Sequence, residues 1–194
     1  MNGPTRHEIV AKVEDFVATW RDQREHLYTR QDFPGDIWQS LGASGLLGLG
    51  LSREFGGLGG DHRALAIAAE HMSQTGAVMG VTTTWLAHNI NARLHIEGHG
   101  SNAQKAEWLP RLARGETSVC VAISEPGAGA HPKHLKAAAV RDGDDFVVDG
   151  TKSYLTNGPL SDLFIVLAIT DVAAGRKSFS AVLRSASPMT ATSF

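Results

Sequence analysis

The stretch that decides the fold is "ISEPGAGAHP", Ile123 to Pro132. It closes the alternating run "SVCVAIS", in which Val119, Val121 and Ile123 alternate with Cys120, Ala122 and Ser124. A period of two is the signature of a strand. The chain then turns through Gly127 and Gly129, with Ser124 and Glu125 at the bend. Such a bend could be a phosphate loop, an ordinary strand-to-loop turn, or a cradle for a flat cofactor with polar edges. Spacing removes the first. A Walker loop needs Gly-x-x-x-x-Gly-Lys-Ser/Thr, and the dinucleotide fingerprint needs Gly-x-Gly-x-x-Gly opening a helix. The other two readings stay open on the residues alone.

Downstream the same short period continues through "LKAAAV", "DFVVDG", "KSYLTN", "LFIVLAIT" and "SFSAVLR", joined by turn-rich links such as "RDGDD". This predicts antiparallel strands at short spacing. Upstream the period is helical. Ile9, Val10, Val13, Phe16, Val17 and Trp20 fall on one face. Pro34 opens a short helix that loses its period at the following glycines, and "REFGGLGGDH" reads as a flexible connection. Asp61 is placed to cap the next helix, and Ser101 with Gln104 forms a capping box for the last one. Pro110 should kink that helix and Gly115 should end it. The fold class expected is α+β, with a helical domain over 1–116 and a partial antiparallel β domain over 117–194.

The chain has 194 residues, 42% of them apolar and 20% charged, with a net charge of -2. These values describe a globular protein with no basic stripe for nucleic acid and no polybasic run for a membrane surface. The start, "MNGPTRHEIV", has no apolar signal core. A lone cysteine, Cys120, makes no internal disulfide, which favours a reducing compartment and a cytoplasmic location. His71 to Ala92 carries no charged residue, but its serine, threonines, histidine and asparagines would be costly in lipid. A helix or helix pair buried among other helices is expected there instead.

Metal and calcium motifs fail on spacing. "HIEGH" has Ile96 where a zincin needs glutamate, "HPKH" reads as loop, and "DGDD" is a hairpin turn too short for a calcium loop. "KSYLTNGP", Lys152 to Pro159, is more informative. On a strand, residues two apart share a face, so Tyr154 and Thr156 are expected to point the same way. An aromatic plate beside a hydroxyl suits a flat heteroaromatic ring. The alternative is a half-buried sheet tyrosine next to a surface threonine.

The order of these pieces carries a resemblance. "ISEPGAGAHP" followed by "DGTKSYLTNGPLSDLFIVLA" resembles the middle-domain motifs of the acyl-CoA dehydrogenase family. "FPGDIWQSLGASGLLGL", "REFGGLGG" and "WLPRLARGE" are similar to that family's helical domain, in its order. The resemblance implies FAD held against the β domain. By matching positions, Val121, Ala122, Ile123 and Ser124 would supply backbone contacts, and Ser124 a hydroxyl contact as well. Tyr154 stands where the family usually has tryptophan beside the flavin ring, and Thr156 would hydrogen-bond near the reactive flavin nitrogen. Gly129 and Leu155 complete the implied cofactor set. Ala130, followed by His131, replaces the family's usual Ser-Asp, so a side-chain contact on the substrate side is lost.

The implied reaction is α,β-dehydrogenation of an acyl-CoA thioester. A flavin oxidase or monooxygenase of the same fold, or a non-catalytic assembly module, are the rival readings. No glutamate here matches the family's catalytic base, which is expected in a C-terminal helical domain absent from this sequence. The chain is therefore expected to be a truncated product or one piece of a split enzyme, inactive alone. An incomplete sheet should make it a homo-oligomer or require a complementing chain. Acyl chain length and electron acceptor are not written in these motifs.

Overall fold

The computed structural model describes residues 3–30, 32–128, 134–171 and 178–185. The chain divides into two compact units, Met1–Ser118, which is helical, and Val119–Phe194, which holds the sheet.

The helical unit begins with α1 (Arg6–Ala18), fixed at its start by a reciprocal capping box between Thr5 and Glu8. Its face of Ile9, Val13, Phe16 and Val17 is buried, and α1 packs on α4 (His62–Gln74). A short α2 (Arg24–Leu27) and α3 (Gly35–Ala43) lie between them. As expected, Asp61 caps α4, its Oδ1 accepting the Arg63 and Ala64 N–H groups at 2.9 and 3.2 Å. The charge-free stretch forms the end of α4, a turn, and α5 (Met79–Asn91), which continues into a π-helical turn over Ala92–Glu97. Among the described residues, no helix is long and apolar enough to cross a membrane. The Ser101–Gln104 capping box opens α6 (Asn102–Arg114), which runs through Pro110 and stops where Gly115 adopts φ 73°.

Three ring N–H donors lock the centre of this unit. Trp85, fully buried, donates to the Leu46 carbonyl, and Trp38 donates to that of Gly115, both at 2.9 Å. His88 Nε2 donates to the Leu112 carbonyl at 3.1 Å while its ring meets Trp38 edge-on. Burial lowers the His88 pKa to about 4, against the small upward pull of the Leu112 hydrogen bond, so the ring stays neutral.

The glycine-rich connection is not the flexible link expected from its composition. Gly50 N–H meets the Gly59 carbonyl at 2.9 Å, Gly59 N–H meets that of Leu51 at 2.8 Å, and Leu58 N–H meets that of Gly48 at 2.9 Å. The two arms of the loop are thus zipped together. Gly57 lies so close that a Cβ there would fall on the Leu51 carbonyl.

The sheet unit corrects the expected strand pairing. Its strands are β1 (Val119–Ala122), β2 (Ala138–Asp142), β3 (Asp145–Asp149), β4 (Leu163–Asp171) and β5 (Ser178–Ser185). β2–β3 and β4–β5 are antiparallel, but β1 pairs parallel with β4, Val119 opposite Leu163, and β2 also meets β4 in parallel at Ala138 and Ile169. The sheet is mixed, not antiparallel. β4 is its centre, with Leu163, Phe164, Ile165, Val166, Ala168 and Ile169 all buried, as a near-continuous apolar run requires of a strand covered on both faces.

Packing at the glycine loop yields a contrast. Gly57→Ala should destabilise the chain by about 1–3 kcal/mol through overpacking against backbone. Gly35→Ala, in open space at the start of α3, should be neutral or stabilising by up to about 1 kcal/mol. Urea denaturation followed by tryptophan fluorescence checks both.

Candidate functional site

β1 delivers the site. Past Ala122 the chain leaves the sheet, and Ile123 becomes exposed while Ser124 stays half-buried. Glu125 then turns back into the protein, its side chain only 5% exposed. Its Oε2 accepts the Lys136 N–H at 2.7 Å, and its Oε1 accepts the Ala137 N–H at 2.9 Å and the Lys152 ammonium at 2.8 Å. Lys152 Nζ also donates to the Ile123 carbonyl at 3.0 Å. One carboxylate therefore joins the end of β1, the approach to β2 and the segment after β3. Burial pushes the Glu125 pKa up, but the Lys152 ammonium and the two backbone N–H groups outweigh it, and the net shift is downward.

Beside this knot, Ser153 N–H donates to the Ser124 carbonyl at 2.9 Å. That bond sets the two motif segments side by side. The segment from Thr151 to Leu155 is not the strand expected. It makes no ladder, Tyr154 takes the left-handed φ of 57°, and Asn157 follows at 67°. Engagement of Ser153 N–H with Ser124 removes it from any ladder, and a left-handed residue breaks strand alternation. The outward placement of Tyr154 and Thr156 nevertheless occurs by another route. Half-buried Leu155 packs against Cys120, Ala122, Phe164 and Val166, while Tyr154 is 97% exposed and Thr156 is also exposed.

The structure thus brings together Ile123, Ser124, Tyr154 and Thr156 on adjoining segments, with Val121 half-buried and Ala122 buried behind them. Gly129 and Ala130 lie outside the described residues. Ser153 Oγ is buried and has no hydrogen-bond partner among the described residues. A bare aromatic plate, an apolar neighbour and hydroxyls on two segments suit a flat ring with polar edges. Sequence reasoning missed Lys152. Its signal was available, since a carboxylate set between an apolar strand end and a proline needs a cation once it is buried. Cys120 is buried against β4, and burial pushes its thiol pKa up despite a hydrogen bond with Ser161.

Comparisons with known proteins agree along the chain. The sequence profile of the acyl-CoA dehydrogenase N-terminal domain matches residues 3–116, and that of the acyl-CoA dehydrogenase middle domain matches residues 120–191. The short-chain specific acyl-CoA dehydrogenase of Clostridium acetobutylicum is 35% identical over 151 residues, covering 78% of this chain and 39% of that protein. The mitochondrial isovaleryl-CoA dehydrogenase of Oryza sativa subsp. japonica is 35% identical over 153 residues, covering 78% and 37%. Among solved structures, an acyl-CoA dehydrogenase from Geobacillus kaustophilus superposes with a TM-score of 0.81 at 28% identity, over 93% of this chain and 47% of that one. An acyl-CoA dehydrogenase from Bacillus anthracis complexed with FAD gives 0.76 at 30% identity, over 93% and 30%. The chain spans less than half the length of each of these relatives.

Two outcomes test the knot. Lys152→Met leaves a buried, uncompensated carboxylate and should cost about 3–5 kcal/mol. Because the folded pKa of Glu125 is depressed, its contribution is complete above the ordinary value of 4.5 and is lost as pH falls below that toward the folded value. Hydrogen-exchange protection factors at Lys136 and Ala137 should fall over that acid window, and should already be low at neutral pH in Lys152→Met.

Proposed function

The chain belongs to the acyl-CoA dehydrogenase family, and from that premise we propose that it forms the helical and flavin-facing β parts of an FAD-dependent oxidoreductase that α,β-dehydrogenates an acyl-CoA thioester. One observation carries this reading: the Ser153–Ser124 backbone bond sets an outward-facing Tyr154 and the hydroxyls of Ser124 and Thr156 on adjoining segments. The residues fit the cofactor. An exposed tyrosine has no apolar cover of its own, and buried Ser153 Oγ lacks a partner among the described residues. FAD, when bound, supplies acceptance of the hydride from the substrate β-carbon.

The chain's own residues then have limited tasks. With FAD bound, the Val121–Ser124 backbone and the Ser124 hydroxyl would hold it, Tyr154 would pack on the flavin side and Thr156 would donate a hydrogen bond to it. By the family motif, Gly129 and Leu155 would belong to the same cofactor set, and Ala130 lacks the hydroxyl that family members usually carry at that position, which bears on substrate range. Glu125 is not the base that removes the α-proton. Both its oxygens accept hydrogen bonds, and Lys152 keeps it ionised and fixed. Assembly with copies of itself or a complementing chain, a role in fatty acid metabolism and a cytoplasmic setting complete the proposal, the last supported by the lone, buried Cys120.

Titration of FAD with the 194-residue chain tests the flavin wall. Flavin fluorescence should be quenched on binding. Tyr154→Ala should abolish the quenching, and Thr156→Val should weaken binding by about 0.5–1.5 kcal/mol, roughly 2- to 13-fold. Quenching that is identical in all three proteins would remove these residues from the cofactor site.

A further inference from the structure

The helical unit contains a cavity that the flavin reading does not use. It has a volume of about 390 Å³ and is lined by Gly50, Ser52, Arg53, Gly59, Gly60, Arg93 and Glu97. A second cavity of similar volume shares Arg93 and Gly60 and adds Asp61 and Arg63. Arg93 therefore borders both. That is within the usual size range of small-molecule sites.

Three glycines, a serine and three charged residues line the first cavity, so charged groups are set among backbone and aliphatic carbon. Gly50, Gly59 and Gly60 have φ of 91°, 72° and 103°, a region that disfavours any side chain. A Cβ on Gly50 would approach the Arg93 side chain to 3.5 Å. Arg93 and Glu97 both come from the π-helical turn that follows α5. Such insertions recur at functional sites because they re-aim side chains without ending the helix.

The charges are unequal in their commitments. Three nearby carboxylates are engaged by backbone N–H groups: Glu97 by Ser52 at 3.0 Å, Asp61 by Arg63 and Ala64, and Glu8 by Thr5 at 2.7 Å. The guanidinium groups are not so engaged. Among the described residues, Arg53, Arg63 and Arg93 make no ion pair within 4.0 Å, and Arg93 donates only one N–H, to His62 Nδ1 at 2.9 Å. A guanidinium presents five donors in a planar fork that matches an oxyanion.

We infer that the cavity walled by Gly50, Gly59, Gly60 and Arg93 is a binding site for a small oxyanion-bearing ligand, a phosphate or carboxylate, gripped by Arg93 with Arg53 at its mouth. It lies wholly within the helical unit and does not depend on flavin binding.

The test is a thermal-shift titration of the 194-residue chain at constant ionic strength, with inorganic phosphate and succinate as separate probes and chloride as the control. At tenfold excess over the dissociation constant, the better probe should raise Tm by about 3–6 °C, and the shift should grow with the logarithm of its concentration. Which probe begins to raise Tm at the lower concentration assigns phosphate or carboxylate. Arg93→Met should remove the shift, while Arg93→Lys should retain a reduced one because an ammonium cannot bind bidentately. If Arg93→Met fails to fold, Arg53→Met serves instead, since Arg53 is exposed, and binding should weaken at least threefold. Tm shifts for both anions no larger than that of chloride would overturn the inference. So would a response unchanged in Arg93→Met, or in Arg53→Met where that variant replaces it.

Discussion

The sheet unit depends on one buried ionic knot. Glu125 leaves β1 and turns inward, and three donors from two other segments, the approach to β2 and the stretch after β3, converge on its carboxylate. A buried carboxylate without such partners would carry a large desolvation penalty. With them it becomes a geometric specification, because Lys136, Ala137 and Lys152 must each stand in one place. The exposed face of Ile123, Ser124, Tyr154 and Thr156 is built on the outside of that specification. The charged group that looks most like a catalyst in this stretch is in fact what positions the residues around it.

Local signals were legible where one residue decides one hydrogen bond. The caps at Thr5, Asp61 and Ser101 and the stop at Gly115 follow from the chemistry of orphaned N–H groups and of positive φ. The family motifs were also legible, and with them the helical-then-β order. Strand direction was not. Alternation along "SVCVAIS" says how one strand is buried but nothing about its partner's polarity. The clue lay in "LFIVLAIT", which does not alternate and so had to be covered on both faces, as β4 is. "KSYLTN" misled because apolar and polar residues also alternate in an extended segment that never joins a ladder. Its outward-facing pair was read correctly from a premise that fails.

The glycine-rich loop shows the same limit from the other side. Composition equates four glycines in five residues with mobility, yet Gly57 sits against the Leu51 backbone too closely for any side chain, and Gly56, Gly59 and Gly60 hold positive φ. Glycine here records proximity, and proximity is a tertiary fact. Arg93 and Glu97 were equally opaque, since only the π-helical turn after α5 brings them to one wall. What the sequence shows at those positions is two charges four apart, which an ordinary helix would present to solvent.

The parallel register of β1 and β4 has a consequence for biosynthesis. Val119 pairs with Leu163, 44 residues later in the chain. A ribosome adding about 5–20 residues per second needs about 2–9 s to deliver the partner. Throughout that interval the helical unit is complete and free to fold, whereas β1 has left the tunnel as a short apolar strand with both edges bare. The β2–β3 hairpin, which closes locally, forms while β1 waits. The nascent chain is therefore most vulnerable to mispairing in a window that opens after its first domain is finished, and synthesis of "LFIVLAIT" closes it.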